Sequence, residues 1–129
     1  ALTPEADIAD RRNSGKAWLR LATRHARRQD WARSEAVAQK SINLLNGLVE
    51  TSDASPWDQL NLAEAELLAV TIQMQDGSVT DIRRVEDVGR SLTEVSRLFT
   101  VDEVAQLKPR IALLVQQCQR LIESASATE

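Results

Sequence analysis

Residues 55–75 read SPWDQLNLAEAELLAVTIQMQ, and this stretch decides the fold class. Ser55 can cap the free N–H groups of a helix start, and Pro56 at the first helical position forfeits no hydrogen bond. Asp58 sets an acid against the positive end of the helix dipole. Beyond that start, Trp57, Leu60, Leu62, Ala63, Ala65, Leu67, Leu68, Ala69, Val70, Ile72 and Met74 occupy most of the helix circumference rather than one stripe. A helix that is apolar nearly all round has to be covered on most of its sides. The segment therefore predicts a central, buried helix over 56–75 with other helices packed around it.

On the N-terminal side, Asp30 can cap a helix over 31–50 whose stripe is Trp31, Ser34, Val37/Ala38, Ser41/Ile42, Leu44/Leu45 and Leu48/Val49. Thr3-Pro4-Glu5 opens an earlier helix over 4–28, on which Ile8, Arg12, Gly15, Trp18/Leu19, Ala22 and Ala26 recur every three or four residues. Gly15 costs about 1 kcal/mol against Ala inside a helix, so Asn13-Ser14-Gly15 is an alternative break. On the C-terminal side, turn formers fill Thr51 to Ser55 and Asp76-Gly77-Ser78. Ile82, Val85, Val88, Leu92, Val95 and Phe99 then form a one-sided helix over 79–99. Thr100-Val101-Asp102-Glu103 fits a capping box. Pro109 would remove a hydrogen bond and clash within a helix, so the spacing predicts two elements, 101–107 and 109–123, with a frayed end after them.

The expectation is an all-α single domain of five or six antiparallel helices, packed as a bundle or as a stack of helix pairs. Composition agrees: of 129 residues 43% are apolar, with no Tyr, one Phe, four Gly and three Pro, a balance that disfavours strands. With one Cys (Cys118) and one His (His25), neither a disulfide framework nor a zinc site is expected, and no cofactor. No apolar run reaches the roughly 18 residues of a membrane span, which predicts a soluble chain. The cytoplasm is favoured, and the Ala1 start leaves an exported mature chain or an excised domain as alternatives.

Residues 18–45, from Trp18 through Arg24-His25-Ala26 and Trp31 to Leu45, resemble one tetratricopeptide repeat. In that pattern Trp18, Leu21 and Ala22 lie on the first helix, with His25 where an aromatic is usual. Trp31 opens the second, and Ser34, Ala38 and Ser41 are the small positions facing back. Gln29 stands where a turn Gly is common. The resemblance covers about a fifth of the chain, and a second copy begun by Trp57 and Leu60 runs too long before its turn. What it implies is a tetratricopeptide-like style of helix pairing, in which small residues let helices approach and large ones fill between them.

Charge is uneven. Residues 1–40 carry nine Lys and Arg against five Asp and Glu, residues 41–129 seven against fourteen, within a net charge of −3. Arg12, Lys16, Arg20 and Arg24 line up on one helical face, with Arg27 and Arg28 close behind. This face is a candidate surface for a protein partner, either acidic or an amphipathic helix, or for a second copy of the chain; phosphate groups, an anionic membrane surface and a plain solvated face with acids from a neighbouring helix or copy are the alternatives. The overall acidity and the lack of interleaved aromatics argue against nucleic acid. Trp18, Trp31 and Trp57 are candidate packing anchors or binding hot spots. Glu64 and Glu66, two apart, point to different faces and make no paired-carboxylate site; solvent or Arg from the first helix is their expected partner. His25 has no orienting group or nucleophile nearby in the pattern, and no phosphate loop, nucleophile elbow or dinucleotide fingerprint is present. The expected function is a non-catalytic helical interaction or scaffold domain. The alternatives are a small secretion- or flagellar-type chaperone and a ligand-binding helical bundle whose third helix lines a cavity.

Overall fold

The chain is all-α. The computed structural model describes residues 4–50, 55–75 and 82–127, which form α1 (Pro4–Arg27), α2 (Trp31–Val49), α3 (Pro56–Gln75), α4 (Ile82–Ser96) and α5 (Val101–Ala127). The expected starts at Thr3 and turns at Thr51 to Ala54 and Asp76 to Ser78 lie outside the described residues.

Helix α1 runs unbroken through Gly15, and α2 packs tightly against it there: a Cβ would stand 2.9 Å from Leu45 Cδ2. Two buried serines secure the pair. Ser34 Oγ donates to the Ala22 carbonyl at 2.7 Å, and Ser41 Oγ to the Gly15 carbonyl at 2.8 Å. The turn between α1 and α2 is closed by Asp30 N–H donating to the His25 carbonyl and Gln29 N–H to the Ala26 carbonyl, with Gln29 at φ 61°. That is the six-to-one and five-to-two bonding of a Schellman turn, built on a residue with a side chain where glycine is usual.

Helix α3 is central, as its composition predicts. It touches all four other helices, whereas among the described residues α1 does not meet α4 or α5, and α2 does not meet α4 or α5. Its two sides feed two separate cores. Ala65 and Ala69 pack with Leu19, Ile42, Leu45 and Leu48 of the α1/α2 pair. Leu60, Ala63, Leu67 and Val70 pack with Val85, Val88, Leu92 and Val95 of α4 and with Leu107, Leu114 and Cys118 of α5. Apolar residues over most of the circumference of α3 match its place between two helix pairs, with Asn61, Glu64 and Thr71 on the side neither pair covers.

Helix α4 is shorter than the spacing predicts. It ends at Ser96, and Arg97 to Phe99 form a turn in which Arg97 and Leu98 N–H groups donate to the Glu94 and Val95 carbonyls. Phe99 is therefore not on the helix. It is buried beneath Trp57, edge to face with ring centroids 5.0 Å apart. The predicted capping box is present: Glu103 N–H donates to Thr100 Oγ1 at 3.2 Å and Thr100 N–H to Glu103 Oε1 at 3.0 Å. The predicted break at Pro109 is not, and one helix runs from Val101 to Ala127, beyond the expected end at 123. Pro109 and Ala105, whose carbonyl loses its helical donor, are both exposed, so water can serve that carbonyl. Leu107 before the proline and Leu114 and Cys118 after it are buried along one seam, and this packing outweighs the local penalty.

Candidate functional site

Because α1 and α5 both lie on α3 without meeting, a groove runs between them with α3 as its floor. One section, of about 580 Å³, is bounded by Lys16, Arg20, Arg24 and Arg27 of α1, Trp57, Asn61 and Glu64 of α3, and Arg110 of α5. The adjoining section, of about 440 Å³, shares Thr23, Arg27, Glu64 and Arg110 with the first, then continues over Leu67, Leu68 and Thr71 to Leu113, Gln117, Arg120 and Leu121. Residue numbers on all three helices rise together from one section to the next, so α1, α3 and α5 run parallel along it.

The cationic wall follows from helical spacing: Lys16, Arg20, Thr23 and Arg27 recur every three or four residues and so share a face. Among the described residues, none of Lys16, Arg20, Arg24, Arg27 and Arg120 has a carboxylate partner. Arg110 is different. Its guanidinium donates to Asn61 Oδ1 at 3.0 Å and is ion-paired with Glu64, which neutralises the one acid that lines the groove among the described residues. Glu64 is thus held by α5, not by an arginine of the first helix as the sequence suggests. Glu66 points away, toward α4. Burial pushes its carboxyl above the ordinary range, with Asp87 adding to the shift and Arg84 opposing it.

Two of the six basic residues singled out from the sequence do not belong to this wall. Arg12 lies on the predicted face but turns to Asp58, donating from Nε to Oδ1 at 2.7 Å and from its terminal nitrogen to Oδ2 at 2.8 Å. Asp58 is 0% exposed and also accepts the Ser55 N–H at 3.0 Å. Burial raises the pKa of this carboxyl, but the Arg12 guanidinium together with the Ser55 contacts more than offsets it and holds the group below the ordinary carboxylate value. Arg12 is therefore a structural clamp between α1 and α3. Arg28 is exposed in the turn after α1 and does not line the groove. Arg110 and Arg120, which do, lie in an apolar run whose periodicity gives no sign that its cations face α1.

The tryptophans divide. Trp18 is half-buried with the Lys40 ammonium 4.8 Å from its ring, and Trp31 is half-buried at the start of α2. Trp57 is 37% exposed at the cationic end of the groove. Leu113, 53% exposed, is the most open apolar side chain in the other section. Among the described residues no group of three or more His, Cys, Asp or Glu side chains is placed to hold a metal ion, and no helix is long and apolar enough to cross a membrane. Cys118 is buried, and burial pushes its thiol up.

No family model, curated protein or solved structure matches this chain.

Proposed function

We propose that the chain is a non-catalytic helical interaction domain that holds a protein partner in the groove between α1 and α5. One observation carries this reading: cations that have no carboxylate partner among the described residues (Lys16, Arg20, Arg24, Arg27 and Arg120) and an exposed leucine converge on a single concave surface, on a chain whose net charge is −3. Desolvating a leucine against a partner is favourable. An arginine side chain supplies both apolar stem and charge, which is why such surfaces are enriched at interfaces.

A photo-crosslinking amino acid placed at Thr23 or Gln117, inside the groove, tests the reading against the same probe at Glu35 or Asn46, both exposed on α2. The expected result is a protein adduct of one defined mass from the groove positions and none from α2. Equal labelling at all four positions, or none in the groove, overturns it.

A further inference from the structure

The two sections of the groove differ in chemistry, and the difference has a direction. Resting on the reading just proposed, we infer that the occupant is a protein segment about four helical turns long, acidic along one half and apolar along the other, with its acidic half toward Lys16 and Trp57.

The length comes from the floor. From Trp57 to Thr71, helix α3 rises about 21 Å at about 1.5 Å per residue, and the two sections together span that distance. The polarity comes from the walls. Toward Trp57 the groove presents Lys16, Arg20 and Arg24, while Arg110 has already taken up Glu64. Toward Thr71 it presents Leu68, Leu113 and Leu121, with Arg27 and Arg110 shared with the first section and Arg120 as its further cation. An anion is stabilised in the first half and an apolar side chain in the second, so a segment reversed in the groove would leave carboxylates against leucine. A nucleic acid fits the observations less well. Its phosphates would continue past the last clustered cations onto the leucines, and among the described residues Trp57 is the one aromatic ring lining either section.

The test uses the full chain and a fluorescent peptide of roughly 14 residues, Glu-rich in its first half and Leu-rich in its second. Controls are a peptide acidic throughout, a peptide with Lys in place of Glu, a single-stranded RNA of matching charge, and vesicles of anionic phospholipid. The acidic-then-apolar peptide should bind tightest and weaken with added salt. Arg20→Glu with Arg24→Glu should weaken it at least about tenfold and abolish the salt dependence. Leu113→Asp should weaken it while keeping the salt dependence. A spin label on the acidic end should broaden amide signals around Ala17, not around Leu121. Tighter binding of the RNA, the vesicles or the all-acidic peptide overturns the inference, as do unchanged affinities in both variants or broadening at the Leu121 end. If the peptide does not bind while the crosslinks from Thr23 and Gln117 persist, the occupant is wrong and the groove reading stands. If the crosslinks are absent too, both fall.

Discussion

Arg12 on α1 and Asp58 on α3 are joined by two hydrogen bonds of 2.7 and 2.8 Å, although 46 residues separate them in the chain. Asp58 has no access to water, so its charge depends on that guanidinium and on the Ser55 backbone. Truncating Arg12 would leave a buried carboxylate without its main partner. Arg12→Ala should therefore cost about 2–4 kcal/mol, near the lower end for a buried pair because 27% of the Arg12 side chain remains exposed. Urea denaturation measures it. The double variant Arg12→Met with Asp58→Leu should be less destabilised than the two single changes together.

The same carboxylate sets an acid limb on stability. A group whose folded pKa lies below its ordinary 3.8 contributes fully above that value, and the contribution is lost as pH falls through the lower folded value. Asp58→Asn should flatten the melting-temperature profile below about pH 4. Glu66 has the opposite sign, since its folded pKa is raised above 4.5 and its ionised form opposes folding at neutral pH. Glu66→Gln should raise stability at pH 7 by less than about 1 kcal/mol and lose that advantage on acidification. Calorimetry between pH 3 and 7 separates the two.

Gln29 holds a left-handed backbone at φ 61° in the turn between α1 and α2. A side chain there costs about 1 kcal/mol relative to glycine, partly offset by glycine's greater freedom in the unfolded chain. Gln29→Gly should stabilise the protein by about 0.5–1 kcal/mol, visible as a higher midpoint in thermal unfolding.

Gly15 is fixed by the approach of α2. In Gly15→Ala the new Cβ meets Leu45 Cδ2 at 2.9 Å and Cγ at 3.0 Å, and the gain in helix propensity of about 1 kcal/mol opposes the clash. Gly15→Val carries further atoms into Leu45, which is 0% exposed, and should cost about 1–3 kcal/mol. The ordering of the two variants in denaturant is the check.

Much of the architecture was legible because it rests on local signals. The residues surrounding α3 announced its central place, Ser55 and Thr100 marked two helix starts, and Ser34, Ala38 and Ser41 are all fully buried at their small-residue spacing. What escaped depends on distance in sequence. Asp58 read as a first-turn acid, since nothing around it points to an arginine far upstream. Pro109 read as a break, because local propensity contains no account of the seam from Leu107 to Cys118. The basic face of α1 was visible from its spacing, but its facing wall was not. Arg110 and Arg120 become part of one surface only when α1 and α5 are laid on the same side of α3.

The two serines that fasten α2 to α1 grip main-chain oxygens, those of Ala22 and Gly15, and not α1 side chains. The attachment of α2 is thereby independent of which side chains α1 carries on its outer face. Exchanging Lys16, Arg20 or Arg24 leaves both of those bonds in place, so the charge of the outer α1 face can change by drift or design while the α1/α2 framework stays constant.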